Sequence, residues 1–410
     1  MDLKSLSKLF DESEKRFSIT QTAYDKLEKT VRRIGKYIAN NEPDVKTYLQ
    51  GSFSYGTIVR PYRGDSDGDY DIDLVIEFPP SYCAKGPQAV KSIVGDCLEK
   101  SSYGDRLDEG KRCWTLDYSD TSNPDIAFHL DVLPSVSANV PDADKIRKTE
   151  IRITNRGKNG YTWSSSNPKG YRQWLSAIDQ SHCNAADKKP ASNIVSDLDR
   201  VADPVDCTPL RSAIKILKRS RDVFFSDRSD SDYAPISVII TTVAASIIDA
   251  DNTKYNCVAP ALEKIIDGLR TMGPKNNGSW NLRNPVDPRE NFADKWNTDS
   301  SYPDAYYAWY DHLSQQWSKL KSADEREAKE IIEELLGLKT DTLHNVAVEK
   351  AKPISAGPTT PKSYAERRVR SLQDTEGYRT AVHLIRGKET MRFRGPRRRL
   401  SSDIRHICAE

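Results

Sequence analysis

Two aspartates one residue apart lie in a stretch that alternates apolar and polar positions. The sequence DIDLVIEF, residues 71–78, places Asp71 and Asp73 on alternate positions. Successive side chains of a strand point to opposite faces, so a strand here puts both carboxylates on one face and the apolar residues in the core. Neighbouring carboxylates repel each other, and a divalent cation offsets that repulsion. The pair indicates a cation site, although an isolated DxD is also common in solvated turns.

A third aspartate occupies a second alternating stretch. In IAFHLDVLP, residues 126–134, the apolar residues define one face, and His129 and Asp131 lie on the other. Three carboxylates on adjacent strands can hold two ions such as Mg²⁺ or Mn²⁺ about 3.5–4 Å apart, one activating an attacking hydroxyl and one stabilising a leaving pyrophosphate. We interpret His129 as a structural or solvent-facing residue.

A Gly-Ser pair precedes these stretches. Gly51 and Ser52 follow a predicted strand over residues 44–50 and begin a predicted short helix, SFSYGT. A residue without Cβ and free backbone N–H groups allow a phosphate to approach, and Ser52 adds a hydroxyl donor. A Gly-Ser turn alone is equally typical of an ordinary loop. The full order of strand, Gly-Ser, helix, DxD strand and single-Asp strand is far more specific.

This order resembles the polymerase-β-like nucleotidyltransferase superfamily. Within it, QGSFSYGT, DYDIDLVIEF and HLDVLP resemble the bacterial cGAS/DncV-like nucleotidyltransferases, the cyclic oligonucleotide synthases. The resemblance implies that Asp71, Asp73 and Asp131 are catalytic and bind two Mg²⁺ or Mn²⁺ ions. It also implies that Gly51 and Ser52 hold the donor triphosphate and that Asp131 helps to deprotonate the acceptor hydroxyl.

The resemblance covers about residues 15–340 and includes a softer feature, W-x2-SNPKGY-x2-W, from Trp163 to Trp174. It implies an enzyme that joins NTPs, ATP among them, through 3′ or 2′ phosphodiester bonds into a cyclic di- or trinucleotide. The implied setting is bacterial anti-phage (CBASS) signalling in the cytoplasm. The product would be read by a downstream effector, and an accessory regulator would act on the C-terminal tail.

Two basic positions and one serine in the second half are candidate phosphate contacts. Residues 209–225 combine an apolar stripe with a basic side, which is more often solvated than functional. In similar enzymes a lysine of this helix contacts the triphosphate, and the pattern IKxLKRxRD selects Lys218, with Lys215 as a competitor. Near the start of the next helix, Ser237 is predicted to contact the donor phosphates or to cap the helix.

The remaining periodicity predicts an α+β protein with a mixed sheet and a helical C-terminal lobe. Apolar residues at helical spacing predict one long N-terminal spine helix over residues 2–40. We predict a nucleotidyltransferase core over 1–175, a helical lobe over 176–350 and a basic, flexible tail over 351–410. The other predicted strands are 112–118, 126–133 and 150–154, and the other predicted helices are 86–100, 234–250, 258–271, 303–320 and 323–337.

Composition excludes several classes of protein. No stretch has the roughly 18 consecutive apolar residues of a membrane span, and the first residues do not form a signal peptide. The seven cysteines form no CxxC pair, which argues against a structural zinc site or a disulfide framework and favours a reducing compartment.

The charge distribution leaves other functions open. Residues 351–410 contain 14 basic and six acidic residues, a net charge of +8, whereas the whole chain has a net charge of +2. Such a tail can bind nucleic acid, although a solvated tail is more common. The alternative functions are a linear RNA-tailing or protein-nucleotidylating transferase with the same carboxylates, and an inactive nucleotide or RNA sensor.

Overall fold

The computed structural model describes residues 1–42, 44–64, 67–118, 127–138, 147–183, 207–271, 275–276 and 278–338. The chain divides into two compact units, Met1–Leu343 and His344–Glu410, and every described residue belongs to the first. The predicted tail over 351–410 lies outside the described residues, so the prediction for it stays a prediction.

The centre of the described unit is a seven-stranded mixed sheet. Its order is β1-β2-β5-β4-β3, with β6 paired to β5 and β7 paired to β6. Only β2 and β5 pair in parallel; the other neighbouring strands of this sheet are antiparallel. The strands are β1 Lys46–Gln50, β2 Tyr70–Phe78, β3 Leu107–Glu109, β4 Trp114–Asp117, β5 Phe128–Ser137, β6 Ile151–Gly157 and β7 Gly160–Ser166.

Some helices pack against one face of this sheet, and the others form a second, helical core. The predicted helix over 209–225 is confirmed as α6, and the predicted boundaries of the following four helices differ from the observed ones by at most three residues. No helix in the described part of the chain is long and apolar enough to cross a membrane. The helices are α1 Leu3–Phe17, α2 Gln21–Asn41, α3 Gly51–Tyr55, α4 Pro87–Glu99, α5 Pro168–His182, α6 Pro209–Phe225, α7 Ser237–Asp249, α8 Val258–Leu269, α9 Ser301–Ser322 and α10 Glu325–Leu335.

The single N-terminal helix predicted over 2–40 is wrong, because the chain forms two helices there. The first ends at Ser18, whose N–H donates to Glu14, and the second begins after Thr20, whose side chain accepts a hydrogen bond from the N–H of Ala23 at 3.2 Å. Ser18 also pairs with Val59 in an isolated bridge. A capping threonine satisfies an otherwise unpaired N–H at a helix start and so favours a new helix.

The two N-terminal helices contribute to different cores. The apolar side chains of α1 pack with α5 to α10 in a helical core, whereas those of α2 pack with α4 against one face of the sheet. Ile72, Leu74 and Ile76 lie on that face with Leu130 and Val132, which confirms the alternation predicted for both strands. The opposite face has a smaller apolar patch, namely Tyr48, Val75, Leu133, Ile151 and Ile153, and next to it the polar residues described below.

A strand, a helix and two small hairpins were not predicted. Strand β7 was not predicted; it forms a hairpin with β6, and its sequence GYTWSSS has too few apolar residues to signal a strand. Helix α5, Pro168–His182, was not predicted. Two small hairpins follow α8, formed by β8 Lys275–Asn276 with β9 Ser279–Trp280, and by β10 Arg283–Asn284 with β11 Asp287–Asn291.

Candidate active site

The parallel pairing of β2 with β5 brings the three predicted aspartates together. Asp73 lies in register with Asp131, and Asp71 lies in register with His129. Residues paired in register share a face of the sheet, on strands about 4.8 Å apart. Asp73 and Asp131 are half-buried and Asp71 is exposed, so the carboxylates lie on an accessible face rather than in the core.

The neighbouring strands extend the row that contains Asp73 and Asp131. Gln50 of β1 lies in register with Asp73, and Thr115 of β4 lies in register with Asp131. The Thr115 hydroxyl donates to Asp131 Oδ1 at 2.6 Å, and the side chain of Gln50 lies beside Asp73 and favours its ionised form by lowering its pKa. A polar residue on each side therefore orients one of the two central carboxylates.

A second row contains His129 and three carboxylates. The Nε2 atom of His129 lies 3.3 Å from Asp69 Oδ2, and its Nδ1 atom lies 3.6 Å from Asp117 Oδ1. The hydrogen bond with Asp69 raises the pKa of His129, and Asp117 and Asp71 add to this increase. When it is protonated, His129 offsets part of the negative charge beside Asp71, and its contacts with Asp69 and Asp117 show that it is not simply solvent-facing.

Burial, and to a smaller extent mutual repulsion, disfavours ionisation of the carboxylates at the centre of the cluster. Burial raises the pKa of Asp73 to about 7, and the charges of Asp131 and Asp71 add to the increase. The pKa of Asp71 is also raised. Solvent reaches this side chain, but the surrounding protein restricts its hydration, and this is the main cause. The negative charge of Asp131 adds to the increase. Carboxylates that resist ionisation in this way are those that a nearby cation would stabilise.

The side chains do not yet form a closed set of ligands. Within the part of the chain that the structure describes, no three His, Cys, Asp or Glu side chains are arranged to hold a metal ion as they stand. Two of the three aspartates are engaged by Gln50 and Thr115 instead. Three observations therefore support a divalent cation here. The aspartates share one face of the sheet, their carboxylate oxygens are ligands that such cations prefer, and their negative charges are not fully balanced by nearby cationic side chains.

The Gly-Ser turn lies directly against the DxD strand. Gly51 has a φ of +67°, and a Cβ added there would lie 2.1 Å from Asp73 Oδ2. Only glycine allows this backbone conformation and this approach together. The following residues anchor the turn, because buried Phe53 stacks on Tyr24 of α2 with ring centroids 4.6 Å apart. Ser52 is half-buried at the start of α3, beside the carboxylates.

The two candidate lysines of α6 have different surroundings, and neither lies on a solvated face. Lys215 is fully buried, and its Nζ atom lies 3.0 Å from Glu14 Oε1. Burial alone would lower the pKa of Lys215, but Cys207 and Glu14 outweigh burial and raise it. This ion pair joins α6 to α1, so the structure does not bring Lys215 to the carboxylates.

Lys218 lies nearer to the carboxylates. Its Nζ atom donates to the carbonyl of Thr57 at 2.9 Å, and its charge interacts with Asp71 and Asp73. Burial lowers the pKa of Lys218 to about 7, and nearby Arg221 adds to the decrease. A buried ammonium with no ion pair of its own is stabilised when an anion binds beside it.

Ser237 is the first residue of α7 and does not cap it. The N-cap residue is Ile236, and no side chain caps this helix start. Arg221 links the two helices, donating to the carbonyl of Pro235 at 2.7 Å and, at 3.4 Å, to the hydroxyl of Ser237. Arg221 therefore lies near both candidates: it contacts the half-buried Ser237, and its charge acts on Lys218. Arg221 was not identified from the sequence.

The comparisons with known proteins agree with this fold. Residues 4–178 match the family described as the "Second Messenger Oligonucleotide or Dinucleotide Synthetase domain". A c-di-GMP synthase of Roseivirga ehrenbergii is 25% identical over 319 residues, which cover 77% of this chain and 78% of that protein.

Solved structures show the same architecture. The GTP complex of the CD-NTase CdnG from Bradyrhizobium diazoefficiens superposes with a TM-score of 0.59 at 17% identity, covering 81% of this chain and 98% of the other. The complex of Escherichia coli MS115-1 CdnC with HORMA-deltaN has a TM-score of 0.56 at 13% identity, covering 82% and 98%. The chain therefore matches this synthetase domain family over residues 4–178 and shares the fold of both solved structures.

Proposed function

We propose that this chain synthesises a cyclic oligonucleotide from NTPs, with release of pyrophosphate. The observation that carries the proposal is the register of Asp73 with Asp131, beside Asp71, on an accessible face against Gly51. The acceptor 3′ or 2′ hydroxyl oxygen would attack the α-phosphorus of the donor, and the bond to pyrophosphate would break. A second such step would close a cyclic di- or trinucleotide.

Each of the side chains and backbone groups described in the candidate active site has a role in this reaction. Gly51 and Ser52 would contact the donor triphosphate through backbone N–H groups and a hydroxyl. Lys218 and Ser237 would contact its phosphate oxygens. Asp131, oriented by Thr115, would accept the proton of the attacking hydroxyl.

Divalent cations complete the proposed centre. Asp71, Asp73 and Asp131 would hold two Mg²⁺ or Mn²⁺ ions, which when bound supply charge neutralisation and Lewis-acid activation of the attacking and leaving oxygens. The raised pKa of Asp73, about 7, supports this assignment because a cation would favour its ionised form.

The substrates and the biological setting are part of the proposal. The relative is a c-di-GMP synthase, and the structural neighbours include complexes with GTP and with ATP. We propose that purine NTPs, with ATP among them, are substrates. The complex of CdnC with HORMA-deltaN supports an accessory regulator. A product read by a downstream effector in cytoplasmic anti-phage (CBASS) signalling follows from the family resemblance.

Product analysis tests the proposed function. Purified protein incubated with four labelled NTPs and Mg²⁺ should yield phosphatase-resistant oligonucleotides, and mass spectrometry should identify their bases and ring size. Linear, untemplated extension of RNA would instead show a tailing enzyme, and nucleotide transfer to a protein would show a nucleotidylating one. Nucleotide or RNA binding without turnover would show an inactive sensor.

The two lysines of α6 provide a matched pair of variants. Lys218→Met should raise the KM for NTPs roughly tenfold or more, since loss of one charge-assisted phosphate contact costs about 1.5–3 kcal/mol. It should leave most of the free energy of unfolding intact. Lys215→Met should instead leave Glu14 buried without its ion pair and lower the free energy of unfolding by about 3–5 kcal/mol.

Steady-state kinetics and denaturant unfolding measured on both variants separate the two roles. The assignment of Lys218 to the phosphates is wrong if its methionine variant binds NTPs like the wild type. It is equally wrong if the folded Lys215 variant has the greater loss of NTP affinity.

A further inference from the structure

Apart from Asp69 and the carbonyl of Thr57, the chain that connects the Gly-Ser turn to the DxD strand has not yet been given a role in the site. This connection, residues 57–69, begins after α3 and leads directly into β2. Its two ends carry the turn that contacts Asp73 and the strand that bears Asp71 and Asp73. Its placement therefore affects how the turn and the carboxylates lie relative to each other.

Two consecutive residues of α6 hold this connection. Lys218 binds its first residue through the carbonyl of Thr57, 2.9 Å from Nζ. Arg219 binds it further along, since Nη1 donates to the carbonyl of Arg60 at 2.9 Å and to Asp67 Oδ1 at 2.8 Å. The segment is thus attached near both of its ends to one rigid helix.

Arg219 also attaches the connection to the last described helix. Its Nε atom donates to the carbonyl of Leu336 at 2.8 Å, just after α10. Its guanidinium carbon lies 4.9 Å from the centre of the Tyr62 ring, and a Cβ added at Gly337 would lie 2.7 Å from that ring. Arg219 is only 2% exposed, so these partners replace its hydration.

The segment held by Arg219 leads to the carboxylates over a few residues. Asp67 lies four positions before Asp71 in the chain. Between them, Asp69 lies 3.3 Å from His129, which is in register with Asp71. A displacement at Asp67 would therefore reach Asp71 along the backbone and through the Asp69–His129 pair.

We propose that Arg219 is a positioning residue for catalysis, which acts by holding this connection at Arg60, through a hydrogen bond, and at Asp67, through an ion pair. It touches neither substrate nor reacting atoms. This inference rests on the proposed function and deepens it, because the activity it supports is phosphodiester synthesis at Asp71, Asp73 and Asp131. The planar guanidinium suits the role, since a lysine ammonium cannot present donors in the same fixed geometry.

The test compares two matched ion pairs in the full-length chain. Asp67 and Asp230 have side chains 31% and 33% exposed, and each lies 2.8 Å from an arginine, Arg219 and Arg228 respectively. Asp67→Asn should lower kcat for pyrophosphate release about tenfold to a hundredfold, because small misplacements at a reacting centre cost that much. The KM for NTPs should change less than about twofold, and Asp230→Asn should change neither value.

Hydrogen–deuterium exchange supplies a readout that does not require turnover. Peptides spanning residues 57–70 should exchange faster in Asp67→Asn than in the wild type, and Asp67→Glu should restore both slow exchange and most of kcat. Arg219→Lys should change kcat in the same direction as Asp67→Asn. If it fails to fold, the Asp67 variants still decide the question.

The proposal is overturned if Asp67→Asn retains the wild-type kcat, whether or not exchange increases. It is also overturned if kcat per folded molecule is that of the wild type, so that the loss of rate only follows the fraction of unfolded protein, as for a merely structural pair. Failure of the proposed function has a different signature, because the wild type itself would then release no pyrophosphate from any NTP.

Discussion

A chain in which Asp71 and Asp73 are both replaced by asparagine should lose pyrophosphate release from NTPs by more than about 10³-fold. Removal of a single group that stabilises the transition state commonly costs 10²–10³-fold, and here two carboxylates are removed together. The measurement is initial-rate pyrophosphate release with saturating Mg²⁺, accompanied by mass spectrometry of the products.

The same replacement should not unfold the protein, which separates catalysis from stability. Because the pKa of Asp73 in the folded chain is about 7, above its usual value of 3.8, its contribution to stability falls as the pH rises through that interval. Above pH 7 and without a divalent ion, the asparagine variant should unfold at a temperature equal to or above that of the wild type. Retained turnover would contradict the assignment of these aspartates.

Replacing Gly51 with alanine should abolish most of the activity through a local clash. The added methyl group would lie 2.1 Å from Asp73 Oδ2, so the turn, the carboxylate or both must move. The φ of +67° adds strain of roughly 1–2 kcal/mol for any residue with a Cβ. We expect kcat/KM to fall about 10²-fold or more.

A second glycine provides the control for backbone strain. Gly278 also has a positive φ, +84°, but no atom lies within 4 Å of an added Cβ. Gly278→Ala should therefore lower the unfolding temperature slightly and leave kcat/KM unchanged. Equal activity of the two alanine variants would show that the contact between Gly51 and Asp73 is unimportant for the reaction.

The correct predictions of secondary structure came mainly from local periodicity of apolar residues. The alternation in residues 71–78 and 126–134 identified two strands and the face on which each aspartate lies. The alternation could not predict that these strands pair, because Asp131 lies 58 positions after Asp73 in the chain. The break at Ser18–Thr20 was missed because the apolar spacing continues on both sides of it, although Thr20 was a visible capping signal.

Long-range pairing explains why helical periodicity alone could not distinguish Lys218 from Lys215. Lys215 and Lys218 lie three residues apart on one helix, and both belong to its basic side. What distinguishes them is Glu14, which is 201 positions from Lys215 and reaches it only through the packing of α1 on α6. Thr115 and Gln50 were missed for the same reason, since only sheet register places them beside the carboxylates.

Anomalous diffraction from crystals grown with Mn²⁺ and a non-hydrolysable NTP tests the central claim most directly. The account predicts manganese peaks among the carboxylates of Asp71, Asp73 and Asp131, with the triphosphate between Gly51–Ser52 and Lys218. Manganese and triphosphate bound elsewhere, with these three carboxylates free of metal, would contradict it.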